Sequence, residues 1–359
     1  MEKQLLKLIQ NISPLNEAAM AKARAYQEKL AIPPGSLGEL LEIGERLAGI
    51  TGKIHNSLGK KRIIVLCADN GLAEEGVSSA PQSVTASQAV NMTKYLTGMS
   101  ALAKHFKNEV QVVDVGIKCD YECPQILNKK IRKGTNSFVK GPAMPRDEAL
   151  LAIKIGMELA EKAKAENISV IGVGEMGIGN TSTSTAVLSV LADLPAEKIT
   201  GRGGGITSQM LVHKIKVIKK GIALNKPDKS DVIDVLSKVG GFDIAAMCGV
   251  FLGAALSKIP VVIDGYISAV AALCASRLAS KAKLYFFPSH SSAECGYSHA
   301  IKGLGLNPYL NLGMRLGEGS GCPLAFEIMD SACVIMNEMA TFEMAKINDS
   351  YLDEVRKEK

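Results

Sequence analysis

Near the C-terminus the sequence MRLGEGSGCP, residues 314–323, sets a single carboxylate, Glu318, between Gly317 and Gly319, with Ser320 and Gly321 following. Glycines let the backbone approach a ligand closely, so a lone acid in such a segment reads either as a group aimed at a small molecule or as a solvated loop glutamate. A second dense segment is GVGEMGIGNTSTSTA, residues 172–186. Gly172, Gly174 and Gly177 satisfy G-x-G-x-x-G after an apolar run, the spacing of a dinucleotide-binding turn, which makes a nicotinamide-dependent oxidoreductase one hypothesis. The ribose-binding acid that should end the next strand is misplaced, because Asp193 follows the helical stretch AVLSVLA. Glu175 sits inside the fingerprint, where a carboxylate would face a pyrophosphate unfavourably. Asn180, Thr181 and Ser182 have the residue types of a helix cap, a position that either holds an anion or closes the helix. A third segment, ITGRGGGITSQM at 199–210, precedes another helical pattern. Its backbone N–H groups with Arg202 and Lys214 read either as a phosphate cradle or as a flexible loop with solvated basic residues. Two anion-friendly loops point to a nucleotide or sugar phosphate. The sequence has no G-x-x-x-x-G-K-[ST], which disfavours a nucleotide triphosphatase, and no paired carboxylates at a strand end to hold magnesium on a diphosphorylated ribose. A monophosphate substrate handled without metal fits better.

Those segments follow, or lie between, elements with a clear pattern. Five apolar runs end abruptly in Asp, Gly or Ser: RIIVLCADNG (62–71), VQVVDVGI (110–117), ISVIGVGEMGIGN (168–180), PVVIDGYIS (260–268) and LYFFPSHSS (284–292). Continuous rather than alternating runs fit strands buried on both faces. Helical patterns separate them at 147–166, 207–224 and 242–258. Strands alternating with helices predict an α/β fold, a Rossmann-like parallel sheet flanked by helices, with ligands outside the carboxyl ends of the strands. The first 50 residues and the chain from about 323 onward read as helices without sheet. The expected organisation is therefore a small helical domain from 1–50 and 323–359 around a large α/β substrate-binding domain at 51–322.

Composition sets the bounds on function. The 359 residues are 47% hydrophobic and 22% charged, Trp is absent and aromatics reach only 4%, so the core is aliphatic and base stacking on nucleic acid is not a theme. A formal net charge of +6 without a dense basic block favours small anions over nucleic acid. Lys3 and Lys7 interrupt the N-terminal apolar stretch and no run approaches the roughly 18 residues of a membrane span, so a cytoplasmic protein without membrane contact is expected. The eight cysteines are scattered; only Cys119 and Cys123 lie close together, and no partner pair follows at zinc-site spacing.

The sequences ADNGLAEEGVSSAPQSVTASQAVNM (68–92), GVGEMGIGNTSTSTA, IDVLSKVGGFDIAAMCGVFLGAA (233–255), PSHSSAEC (288–295) and MRLGEGSG, with IPPGSLG at 32–38, occur together and in order. The chain thereby resembles the nicotinate-nucleotide:dimethylbenzimidazole phosphoribosyltransferases of cobamide lower-ligand activation, from about residue 14 to beyond 340. The resemblance implies an α/β Rossmann-like large domain with a small helical domain, a homodimer or a heterodimer of two similar chains, no cofactor and no metal. It also implies transfer of the phosphoribosyl group of nicotinate mononucleotide to a base or phenol, with release of nicotinate. Carried over by position, Glu318 is the catalytic base. Glu175, Gly177, Asn180, Thr181, Gly203, Gly204, Lys214 and Ser291 fall around the nucleotide and its phosphate, and Ser79, Gln88, Asn70 and Leu316 around the acceptor base. One departure is visible: Asp69-Asn70-Gly71 stands where the family commonly has Asp-His-Gly. The oxidoreductase, and a non-catalytic subunit of a heterodimeric transferase, remain the alternatives.

Overall fold

A computed structural model describes residues 1–357. Its contacts divide the chain into two compact units, one from Met1–Ser13 with Lys60–Ala325, the other from Pro14–Gly59 with Phe326 onward. The division differs from expectation at the N-terminus, where the helix Glu2–Ile9 belongs to the larger unit. Leu5 and Ile9 are buried, and Glu2 is paired with Arg146 at the start of the helix Arg146–Ala165. The cue available in sequence was amphipathicity alone, which does not say what the apolar stripe faces.

The larger unit is built on a six-stranded parallel sheet in the order β3-β2-β1-β4-β5-β6. The strands are β1 Lys60–Ala68, β2 Glu109–Gly116, β3 Leu127–Asn128, β4 Ile168–Met176, β5 Val261–Ile263 and β6 Phe286–Pro288. Ile63 to Ala68 are wholly buried, which is why that run carries no polar alternation. The helix Phe242–Leu256 is buried through almost its whole length and packs on Arg146–Ala165. Two glycines permit the approach: a Cβ at Gly156 would lie 1.9 Å from the Ala246 carbonyl oxygen, and one at Gly249 equally close to that of Ile153. The sheet order reverses between β1 and β4, so the loops leaving these neighbours diverge and open a crevice at their carboxyl ends.

In the smaller unit the helices Glu17–Gln27 and Glu39–Thr51 pack together, with Ala23, Ala48 and Met336 at the core and Tyr26 and Ile54 against them. Gln27 donates to the Leu41 carbonyl at 2.8 Å, and Leu30 bridges Thr341. Among the described residues no helix is long and apolar enough to cross a membrane.

Candidate active site

A cavity of about 250 Å³ lies in the larger unit at the carboxyl ends of the strands. Its walls come from the segment after β1, the end of β4 with the following turn, the 202–206 loop, the residues after β5 and β6, and Arg315 to Glu318.

The loop carrying Glu318 is a sharp bend. Gly317, Glu318 and Gly319 all have left-handed backbone, at φ +81°, +65° and +90°. For a non-glycine residue that conformation costs roughly 1–2 kcal/mol, so surrounding contacts must hold it. Asp264, the residue just past β5, supplies them: its carboxylate accepts the Gly319 N–H at 3.0 Å and the Gly321 N–H at 2.7 Å. Glu175 accepts the Glu318 N–H at 3.3 Å. The bend lies directly on β4, where a Cβ at Gly174 would fall 2.4 Å from the Glu318 carbonyl oxygen. The middle glycine of the fingerprint thus makes room for this loop. The Glu318 side chain is 5% exposed, lines the cavity, and accepts the Met99 N–H at 3.4 Å at the start of the helix Gly98–His105. Burial raises its pKa above the usual carboxylate value, with the hydrogen bonds from Thr97 and Met99 opposing. The arrangement yields a carboxylate more basic than one in water, fixed at both the backbone and the side chain.

Burial also pushes the Glu175 carboxyl up to about 8, with repulsion from Asp243 and Asp264 adding to it and the Asn180 hydrogen bond opposing. At pH 7 Glu175 is mostly neutral, which removes the objection to a carboxyl group beside a phosphate. Asn180 does not cap its helix. The chain enters the helix Asn180–Ala192 through Gly179 at φ +96°, without a side-chain cap, and the Asn180 amide donates to Glu175 instead.

Across the cavity, Lys214 projects from the helix Ser208–Asn225 and is 1% exposed. Its Nζ donates to Thr181 Oγ1 at 2.8 Å and to the Gly201 carbonyl at 3.3 Å. Desolvation lowers its pKa to about 8, partly offset by Glu294. Gly203 turns at φ +55°, and a Cβ there would fall 2.8 Å from Thr181 Oγ1 and 3.6 Å from Lys214 Nζ, while a Cβ at Gly204 would meet open space. Arg315 donates to the Gly203 carbonyl at 3.3 Å and Ser79 to that of Gly205 at 2.9 Å, so both sides of the cavity are tied to this loop.

Glu318, Glu175, Gly177, Asn180, Thr181, Gly203, Gly204, Lys214, Ser79, Gln88 and Leu316 all line one cavity. Asn70 and Ser291 are not among its walls. Asn70 is fully buried beneath the 177–179 turn and contacts Asp243 at 3.4 Å and Thr183 at 3.3 Å. Ser291 gives its N–H to Leu310, and the next residue, Ser292, lines the cavity. Asp193 is at the surface on Lys229 at 2.9 Å, and Arg202 is held by the Ile206 carbonyl at 2.6 Å and Ser208 at 3.0 Å. Sequence reasoning missed Asp264, Ser292, Glu294 and Arg315 among the lining residues. Asp264 had a signal, being the polar stop of the PVVID run.

Comparison with known proteins then places the chain. A phosphoribosyltransferase family model, DBI_PRT, matches residues 12–347. The nicotinate-nucleotide–dimethylbenzimidazole phosphoribosyltransferase of Clostridium tetani is 48% identical over 99% of this chain and 98% of that protein. The chain belongs to this phosphoribosyltransferase family. The corresponding enzyme of Ruminiclostridium cellulolyticum is 50% identical, across 94% of this chain and 96% of its own length. Among solved structures, CobT from Thermus thermophilus superposes with a TM-score of 0.89 at 34% identity, covering 93% of this chain and all of that one. The superposition shows that the parallel α/β fold of this chain is shared with that structure.

Proposed function

We infer that this chain transfers the phosphoribosyl group of nicotinate mononucleotide to an aromatic base of the dimethylbenzimidazole type, giving the α-riboside phosphate and free nicotinate. Family membership supports the reaction class. The observation that carries the assignment of roles is the placement of Glu318, fixed in its bend, in the same cavity as Lys214 and the 201–205 glycine loop.

Nicotinate mononucleotide carries a cationic pyridinium at ribose C1′, so nicotinate leaves with the C–N electron pair and needs neither protonation nor a metal. A ring nitrogen of the acceptor forms the new bond from the opposite face, inverting the β-linkage to α. Bond formation makes the acceptor's other N–H acidic, and Glu318 takes that proton. Its raised pKa brings it nearer the working pH, where a general base serves best. Lys214, with the N–H groups of Gly203 and Gly204, neutralises the 5′-monophosphate. Glu175, mostly neutral at pH 7, supports the Glu318 backbone without repelling that phosphate. Ser79, Gln88 and Leu316 bound the acceptor side.

The test incubates the purified chain with nicotinate mononucleotide and 5,6-dimethylbenzimidazole and follows both products. Equimolar nicotinate and α-riboside phosphate support the reading, and absence of the riboside while nicotinate mononucleotide binds refutes it. The family resemblance supports a homodimer as the working unit, which sedimentation tests as a mass about twice 38.0 kDa.

A further inference from the structure

One buried carboxyl beside the site has no place in the mechanism above. Asp243, in the first turn of the helix Phe242–Leu256, is fully buried beneath the 177–179 turn and is not among the walls of the cavity. The turn lies on it because residue 177 is glycine: a Cβ there would fall 2.8 Å from Asp243 Oδ2. Asp243 accepts the Ile244 N–H at 3.0 Å and the Asn70 amide at 3.4 Å. The Asn180 amide, which donates to Glu175, also faces Asp243 and lowers its pKa. One amide therefore joins two buried carboxyls, of which only Glu175 lines the cavity. The side chains that donate to them are both asparagines, which carry no charge. Asp264 past β5, Glu318 in the bend and Cys67 on β1 also face the pair, and all three are acids. Arg132, over the Phe242 ring at 5.2 Å, is paired with Glu148.

Two adjacent carboxyls enclosed without a cation do not both ionise, and their surroundings decide which one keeps the proton. Asp243 has the N-terminal end of a 15-residue helix behind it, a backbone N–H and two amides, all of which favour a negative charge. Glu175 ends a strand, shares the Asn180 amide and accepts one backbone N–H at 3.3 Å. The charge belongs on Asp243 and the proton on Glu175. We propose that Asp243 is a positioning residue for charge: it holds the pair's one negative charge beneath the turn and so keeps Glu175 protonated at the cavity wall, where an anionic substrate lies against it. Ionised, Glu175 would set a second carboxylate beside Glu318 and repel the substrate's phosphate. The proposal rests on the phosphoribosyl reading for its substrate alone, because the place of the proton is a property of the free protein.

The test follows the glutamate side-chain carboxyl carbons of the full chain by carbon NMR across pH, without ligand. One resonance of the wild-type protein should titrate near pH 8, apart from the surface glutamates, and be missing from Glu175→Gln. In Asp243→Asn, which keeps shape and removes the charge, the same resonance should titrate about 1–2 pH units lower. Asp243→Glu restores the charge and should return it toward the wild-type value. Nicotinate mononucleotide should bind Asp243→Asn about 2- to 10-fold more weakly than wild type at pH 7, with the deficit closing as the pH is lowered and Glu175 regains its proton. A merely structural role would cost affinity alike at every pH. A wild-type Glu175 that has fully titrated below about pH 6 overturns the proposal without any variant. A midpoint unmoved in Asp243→Asn overturns it too, as does an affinity deficit that ignores pH. Should the resonances behave as expected while wild-type protein fails to bind nicotinate mononucleotide, the charge placement is supported and the substrate reading is what falls.

Discussion

Two glycine-rich loops meet the same cavity and are built in opposite ways. In the loop of residues 317–321 every glycine is boxed in: a Cβ at Gly317 would lie 2.4 Å from Glu175 Oε1, at Gly319 2.9 Å from Ile63, and at Gly321 2.3 Å from both Ser289 and His290. Asp264 then holds two of its N–H groups. In the loop of residues 201–205 the crowding is confined to Gly201 and Gly203, where a Cβ would fall 1.8 Å from Glu294 and 2.8 Å from Thr181, whereas a Cβ at Gly204 or Gly205 would meet nothing within 4 Å and Gly204 is exposed. The first loop uses glycine to pack a bend that positions a side chain. The second packs Gly201 and Gly203 but leaves the backbone at Gly204 uncovered, which is what an anion needs. Glycine count is the same signal in both, and only the neighbours separate a positioning loop from a binding loop.

The contrast breaks most sharply at Gly319. Gly319→Ala adds a methyl group against Ile63 at φ +90° and should displace Glu318, so its loss of turnover should match removal of the base, roughly 10²- to 10⁴-fold, with nicotinate mononucleotide binding changed far less. Turnover within a few fold of wild type would show that the bend is not needed.

Lys214→Ala comes next. It should raise the Michaelis constant for nicotinate mononucleotide by about 10- to 100-fold, the equivalent of roughly 1.5–3 kcal/mol for a charge-assisted contact. An unchanged constant would leave the phosphate to the glycine loop alone.

The same lysine gives a pH signature. Its folded pKa, lowered to about 8, means the cation is present below that pH and lost above it, so kcat/KM should fall as pH rises past about 8. Lys214→Arg should make that limb shallower, the remainder coming from Glu175, whose carboxyl, pushed up to about 8, ionises over the same range. For stability the sign is reversed. Below pH 8 the folded protein carries a buried cation, a penalty of about 3 kcal/mol for a shift of this size, relieved as pH climbs toward the unfolded lysine value of about 10.4. Lys214→Met should therefore raise the melting temperature at pH 7 and gain less at pH 10. A melting temperature lowered at both pH values would contradict a desolvated lysine.

The smallest effect belongs to the open loop. Gly204→Ala meets open space and should change the Michaelis constant less than about threefold, as the open surroundings require.

How much of this was legible in the sequence follows from what each signal measures. The β1, β2 and β4 runs were readable because strands buried on both faces must be continuously apolar. The runs at β5 and β6 were seen, but each strand has only three residues, since PVVID turns at Asp264 into the helix Tyr266–Leu278 and the second breaks after Pro288. β3 has two residues and no apolar run to mark it. Most site residues were named because the resemblance carries position. Asp264 and Glu294 were missed because their surroundings depend on what stands opposite, two backbone N–H groups in one case and Gly201, whose missing side chain leaves room for the carboxylate, in the other. Asn180 was misread for the same reason: Asn before a helical run fits a cap by type, and only the buried Glu175 beside it decides where its amide goes.

The most direct test of the central claim, that the boxed-in bend exists to aim one base, is Glu318→Gln assayed for turnover and for nicotinate mononucleotide affinity together. The substitution keeps shape and removes basicity. Turnover should drop about 10²- to 10⁴-fold while the affinity stays nearly unchanged. Turnover retained within a few fold of wild type would remove Glu318 from the chemistry.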